Sequence, residues 1–227
     1  MTQEEFKKIL EENDYYYKEE GNRIEIDSRN RNISLYDIET ISENVTFSNK
    51  GWVNLDSLDT LPKGIVFYNE GSVNLDYLVT MPSGTLFSND GTVNLSFIIE
   101  IPENTKFSNG EDVNLNSLQT IPKGMEFCNG ADVDLGLIKI LPEGTIFSNG
   151  GYVSLPFLNQ LSKGVRFENR DEVYLDLDLD YTYETDYRGF DKIKIKGIKT
   201  QKILNCLIKQ IYGYLIFYDF FLGYIKK

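Results

Sequence analysis

Residues 61–80 read LPKGIVFYNEGSVNLDYLVT and residues 81–100 read MPSGTLFSNDGTVNLSFIIE; laid one above the other, these two lines decide the fold. Four columns match without a gap, and all four continue through seven copies. Phenylalanine occupies Phe47, Phe67, Phe87, Phe107, Phe127, Phe147 and Phe167; asparagine occupies Asn49, Asn69, Asn89, Asn109, Asn129, Asn149 and Asn169. Val53 to Val173 and Leu55 to Leu175 are equally regular. A strict 20-residue period means one supersecondary unit stacked on itself, so the chain is expected to be a mainly β solenoid.

Each repeat, numbered 1 to 20, follows [ILM]-[PS]-x-[GN]-x-x-F-x-N-x-x-x-V-x-L-x-x-L-x-x. Side chains alternate across a strand, so Val 13 and Leu 15 point one way and position 14 the other. Phe 7 and Asn 9 share the interior by the same rule. The expected core of each turn is the aliphatic residue at 1 with Phe 7, Val 13, Leu 15 and the aliphatic at 18. Gly or Asn at position 4 suggests a corner with positive φ, and Pro at 2 an extended segment whose N–H has no partner to meet. Two short strands per turn, stacked at about 4.8 Å, would make eight turns roughly 38 Å long. The interior Asn column is expected to be structural, bonding to the turn backbone and from one Asn to the next.

Outward from the seven regular turns, residues 21–40 form a divergent first turn. Ile33, Leu35 and Ile38 keep their columns, Asp27 stands where Phe is expected, and Ile24 with Ile26 supplies another apolar pair. Residues 1–20 are expected to be an N-terminal capping helix, opened by the capping box Thr2-Gln3-Glu4-Glu5 and ended at Asn13 or Gly21, with Phe6, Ile9 and Leu10 on one face. The solenoid is expected over 21–180 and a C-terminal cap over 181–227.

The stretch Ile121-Pro-Lys-Gly-Met-Glu-Phe-Cys-Asn-Gly-Ala-Asp-Val-Asp-Leu135 and its siblings resemble the short bacterial and phage leucine-rich-repeat-like proteins, in which a Leu-Pro-x-x turn precedes a Val-x-Leu strand. The resemblance covers about residues 41–180 and implies a binding surface, in some members that of an effector or inhibitor. Phe 7 and Asn 9 depart from the usual leucine-rich pattern by forming a second regular element, which leaves a parallel β-helix open as the finer description.

Composition narrows the function classes. The chain has no His and only two Cys, Cys128 and Cys206, which removes the commonest general base, most metal sites and any disulfide framework. Met1 to Lys18 lacks the basic-then-apolar order of a secretion signal, so a cytoplasmic, reducing location is expected. Residues 1–180 hold 14 Lys and Arg against 31 Asp and Glu, whereas residues 181–227 hold 9 against 4. An acidic body disfavours direct nucleic-acid binding by the solenoid. No catalytic residue, cofactor or metal ligand set is expected, because the acids recur as surface columns and no Gly-rich phosphate loop adjoins a helix.

The variable positions are the candidates for binding. Position 14 gives an outward polar ribbon through Asn54, Asn74, Asn94, Asn114, Asp134, Ser154 and Tyr174; position 12 adds Trp52 and Tyr152, and position 16 adds Asp56 and Asp76. Position 17 carries Tyr77, Phe97, Leu137 and Phe157, extended by Val79 and Ile99 at 19; stacked neighbours of this kind are expected to form one apolar strip. Asp176, Asp178 and Asp180 alternate with leucines as in a half-buried strand, and Lys192, Lys194 and Lys196 alternate with Ile193 and Ile195 as in a strand with a basic outer face. Tyr181, Tyr183 and Tyr187 lie nearby. Thr200 caps an expected helix over about 201–224, whose seam Leu204, Ile208, Ile211, Leu215, Tyr218, Leu222 and Ile225 suits packing on the solenoid or homo-oligomerisation through 201–225. Asn205, Lys209, Gln210 and Asp219 argue against a membrane span.

These readings converge on a non-enzymatic module that binds a protein partner through its outer solenoid face, an inhibitor or adaptor. Two alternatives stand beside it: an acidic mimic of nucleic acid, and an oligomeric or membrane-associated scaffold organised by the tail.

Overall fold

The computed structural model describes residues 1–27, 29–175 and the strand Ile193–Ile195. It is a β-solenoid of about eight turns whose N-terminal end carries a single helix, α1 (Gln3–Glu12). Thr2 and Glu5 form the reciprocal capping box: the Glu5 N–H donates to Thr2 Oγ1 at 3.2 Å, and the Thr2 N–H donates to Glu5 Oε2 at 2.8 Å. Phe6 and Leu10 of α1 are fully buried against the end of the core. The helix stops at Asn13, so it fills half of the expected 1–20 cap. The other half is β1 (Tyr17–Glu20), which turns at Gly21 and pairs antiparallel with β2 (Arg23–Ile26).

Every regular turn then contributes one strand to each of two parallel sheets. The first sheet runs from β1 and β2 through Val45–Phe47, Val66–Phe67, Leu86–Phe87, Lys106–Phe107, Glu126–Phe127 and Ile146–Phe147 to Arg166–Phe167. The second begins at β3 (Ile33–Ser34), continues through Val53–Asn54 and its equivalents to Val173–Leu175, and ends on Ile193–Ile195. Pairing joins each residue to the one 20 positions on: Phe87 to Phe107, Val113 to Val133. A third, shorter ladder links Ile140–Leu141 to Gln160–Leu161, with single bridges at Thr60–Thr80 and Glu100–Thr120.

Core columns fall where alternation puts them. Phe47 to Phe167 stack with ring centroids 5.2 to 5.8 Å apart and planes within 10° of parallel. Burying each contributes about 1.5–3 kcal/mol. The position-4 corner has positive φ at Gly84 and equally at Asn44 and Asn104, the residue type that best tolerates that region after glycine. At the opposite corner Gly71 has ordinary φ, but a Cβ there would sit 2.6 Å from the Gly51 carbonyl carbon and the Trp52 nitrogen. Close rung-on-rung approach, not chirality, requires glycine at that point.

The interior asparagines bond only to backbone. Asn109 Nδ2 faces the carbonyls of Gly91, Glu111 and Asp112 at 3.1, 3.0 and 2.9 Å; Asn49, Asn69, Asn89, Asn129 and Asn149 repeat the pattern, and Asn169 shares its first two contacts. The expected Asn-to-Asn bonds are absent among the described residues, and all seven Oδ1 atoms are buried with no hydrogen-bond partner. Three converging carbonyls attract the amide nitrogen, which turns Oδ1 away from the next Asn.

Asp27 does not take the phenylalanine column. β2 pairs Ile26 with Phe47, 21 residues apart, while Ile33 pairs with Val53 at the usual 20. One extra residue is therefore accommodated in the corner between Ile26 and Ile33, and Asp27 occupies that corner. It is almost fully buried between Arg29 at 3.0 Å and Lys18 at 3.2 Å. The Arg29 hydrogen bond outweighs burial and holds its carboxyl down at about 2.

The chain itself manages both N-terminal sheet edges. In the first sheet β1 becomes the edge strand, and its exposed Lys18, Glu19 and Glu20 discourage pairing with another molecule. At the second, Tyr15 Oη accepts from the Ser34 N–H at 2.9 Å and donates to the Ser34 carbonyl at 3.4 Å, satisfying the open edge of β3 with one phenol. At the far end Ile193 pairs with Val173 and Ile195 with Leu175, so the 20-residue frame carries on past residue 180 and sets Lys194 in register with Tyr174. The acids at 176–180, Tyr181, Tyr183, Tyr187 and the expected helix over 201–224 lie outside the described residues.

Candidate protein-interaction surface

Three outer surfaces follow from this cross-section: the backs of the two sheets and the corner formed by positions 16 to 20. The candidate residues divide between the second sheet and the corner. On the sheet lie Trp52, Asn54, Asn74, Asn94, Asn114, Tyr152 and Tyr174. On the corner lie Tyr77, Phe97 and Phe157.

On the sheet, rung spacing brings the outer amides into a chain. Asn94 Nδ2 donates to Asn74 Oδ1 at 2.7 Å and Asn114 Nδ2 to Asn94 Oδ1 at 2.6 Å, each amide half-buried; Asn54 instead accepts from the Asp56 N–H at 3.0 Å. A shallow trough of about 620 Å³ runs beside them, lined by Trp52, Ser72 and Thr92. The ladder consumes much of the amides' bonding capacity, so this part of the ribbon is largely satisfied within the fold. Next in the column, burial pushes the Asp134 carboxyl above its usual value while a bond from Ser154 pulls it back. Farther along, Tyr152 and Tyr174 meet edge to face, 5.3 Å between centroids at 83°. The Asp132 charge, then burial, raises the Tyr152 phenol. Trp52 stands five turns from Tyr152, so these aromatics do not form one site.

The corner is more exposed. Tyr77 and Phe97 are 61% and 54% accessible, and their rings stack with centroids 5.4 Å apart at 9°. Val79 and Ile99 flank them, each nearly half accessible. The expected single strip is broken, however. Ser117 and Gln119 occupy the next turn, so the apolar surface divides into one patch on turns 61–100 and a second made of Leu137, Phe157 and Ile140. Ile140 escaped the sequence reading because position 20 holds Thr or Glu in the four turns before it. Tyr36 and Tyr68, also exposed, escaped because they belong to the divergent turn and to the back of the first sheet.

Once residues are grouped by face, charge proves one-sided. Positions 11–20 of residues 41–160 carry Asp56, Asp59, Asp76, Glu100, Glu111, Asp112, Asp132 and Asp134 but only one base, Lys139. The other half of each turn mixes Lys50, Lys63, Lys106 and Lys123 with acids in near balance. Several of the carboxylates cap the stack: Asp56 Oδ1 accepts the Asp76 N–H at 3.1 Å, and Asp76 Oδ1 accepts the Ser96 hydroxyl at 2.6 Å. Among the described residues none of the eight forms an ion pair.

A second cleft, about 520 Å³, opens on the first sheet between turns 101–120 and 121–140, beside Lys106, Lys123, Glu126 and Cys128. Thr105 on one wall ties position 5 to the Pro102 carbonyl at 2.9 Å, whereas Met125 holds that position on the other. The ladder narrows to the single pair Phe107–Phe127, whose rings are 5.8 Å apart. Burial raises the Cys128 thiol above its usual value, and the Ser148 hydroxyl pulls it partly back.

Among the described residues no helix is long and apolar enough to cross a membrane. Comparison with protein-family models, curated proteins and solved structures finds no match, so the functional reading rests on this surface alone.

Proposed function

We propose that this protein is a non-enzymatic interaction module, an inhibitor or adaptor of bacterial or phage origin, that binds a protein partner through the outer corner of its solenoid. The observation carrying the reading is the Tyr77–Phe97 stack with Val79 and Ile99, four exposed apolar side chains on a rigid rung-on-rung scaffold. Preorganised aromatics lose little entropy on binding and are enriched among residues that dominate interface energies. The non-enzymatic part is supported by the lack of His and by carboxylates set in columns that cap backbone instead of converging on one point. Cytoplasmic residence is consistent with an exposed free thiol at Cys128.

The test is capture from a lysate of the native host with the full chain and with Tyr77→Ser/Phe97→Ser. Loss of the captured protein at unchanged Tm supports the corner as the docking surface; equal capture by the variant would refute it.

One observation favours a second reading, in which the acidic side mimics nucleic acid. Asp112 on one rung and Asp132 and Asp134 on the next share a face with little counter-charge. Such binding would weaken steeply between 50 and 200 mM salt, about the range over which phosphate contacts lose most of their affinity, whereas aromatic docking would change little.

A further inference from the structure

The corner patch has open ends, and what borders them points to the chemistry of its occupant. Position 17 holds Ser57 one rung before Tyr77 and Ser117 one rung after Phe97. These short side chains leave the outer face of each ring in the stack uncovered. Before Ser57 comes Tyr36, 62% accessible, whose carbonyl accepts the Ser57 hydroxyl. Tyr36, in register with Asp56, and Tyr77 stand one rung to either side of Ser57, which is the only position-17 side chain between them; with rungs about 4.8 Å apart the gap spans two of them. Asp56 and Asp59 belong to that same rung, and Glu100 lies beyond Ile99 at the other end. Asp59 and Glu100 are exposed and without an ion pair among the described residues.

We infer that the occupant of this patch is an extended, arginine-bearing segment of a partner protein, one guanidinium stacking on Tyr77 over Ser57. The inference rests on the protein-docking reading above and adds the partner's chemistry. A planar cation satisfies both features of the slot: its face lies on an aromatic ring, and its edge N–H groups reach carboxylates. Lysine meets only the charge requirement, because its ammonium is compact and strongly hydrated. An uncharged apolar segment would cover the rings and leave Asp59 and Glu100 desolvated without a partner, an arrangement that costs affinity.

The experiment uses the full chain and three synthetic octapeptides of alternating residues, Arg-Ser, Lys-Ser and Leu-Ser, with affinities from fluorescence anisotropy at low and physiological salt. The Arg-Ser peptide is expected to bind several-fold more tightly than Lys-Ser, with Leu-Ser weakest. Tyr77→Ser/Phe97→Ser should weaken the Arg-Ser peptide about fivefold, a scale set by one exposed cation–ring contact. Asp59→Asn/Glu100→Gln should weaken it several-fold at low salt and flatten its salt dependence. Unfolding curves of each variant should match the parent. Tightest binding by Leu-Ser, lost in Tyr77→Ser/Phe97→Ser, would overturn the basic occupant while keeping the patch as a docking site. Equal binding of Arg-Ser and Lys-Ser, indifferent to the ring changes, would overturn the slot in favour of diffuse attraction to the acidic face. No binding of any peptide would overturn the inference, and lysate capture would then judge the docking reading separately.

Discussion

Replacing Asn109 by Asp changes one NH₂ for one oxygen and should be among the most damaging near-isosteric substitutions in this chain. Asn109 is 2% accessible, and its Nδ2 donates toward three carbonyls between 2.9 and 3.1 Å. A carboxylate in that place directs an anionic oxygen at three carbonyl oxygens. A protonated acid retains one donor and loses the other, at a cost of about 1–2 kcal/mol for the bond and the carbonyl left bare. Deprotonation adds an uncompensated buried charge, for which about 3–5 kcal/mol is the ordinary penalty. Burial and the carbonyl dipoles both disfavour the anion, so the folded-state pKa of the introduced Asp is raised above its unfolded value of about 3.9. The sign follows: the variant's stability deficit is small where both states are protonated and grows as pH rises past about 4 toward the folded pKa. Urea unfolding followed by circular dichroism, on wild type and variant side by side at pH 4 and pH 7.5, should show a deficit of about 2 kcal/mol at the lower pH and at least 3 at the higher. Asn109→Leu, which cannot titrate, should show the same loss at both. A deficit for Asn109→Asp that does not change with pH, or stays below about 1 kcal/mol, would refute the assignment of these carbonyls as the reason for the asparagine column.

Glycine at the two corners should respond differently to the same change. Gly84→Ala, at φ +81° with open space around a Cβ, should cost about 1 kcal/mol and Gly84→Asn less, whereas Gly71→Ala drives a methyl into the preceding rung and should cost at least 2 kcal/mol; chemical denaturation of the three separates strain from collision. Tyr15→Phe removes the hydroxyl that serves both Ser34 backbone groups, so a loss of about 1–2 kcal/mol is expected, together with concentration-dependent association visible by light scattering as the edge of β3 opens. Asp27 carries a depressed pKa of about 2, so its stabilisation is complete above about pH 4 and is lost as pH falls toward 2; with Arg29 and Lys18 half exposed, screening limits it to about 1–2 kcal/mol, and Asp27→Asn should remove that part of the acid dependence of Tm.

How far the site was legible depended on whether a residue's neighbours were 20 positions away or in a different frame. Tyr77 and Phe97 were legible as a stacked pair because parallel in-register pairing turns a spacing of 20 into contact. Asp59 and Glu100 were not, since position 19 holds Asp, Val, Ile, Gln, Lys and Asn in turn and position 20 mostly Thr; their meaning lies in sharing one side of the turn with a face almost devoid of bases. Tyr36 keeps the 20-residue frame, in register with Asp56, but it belongs to the divergent first turn, where position 16 holds an aromatic that no later turn repeats. Tyr15 is equally silent in sequence, because the edge it seals is reached through the turn after α1 and not through any repeat.

By itself the sequence determined the solenoid, its period, the faces of its strands and the columns of its core. Those follow from local rules, alternation along a strand and identity every 20 residues, and need no knowledge of what lies across the molecule. Tertiary structure decided the rest: the third short ladder, the direction in which the interior amides turn, the corner that takes the extra residue at Asp27, and the sealing of the β3 edge by Tyr15. Each of these depends on distances across a turn or between faces, which are set by how the corners bend, and no column of a repeat records that.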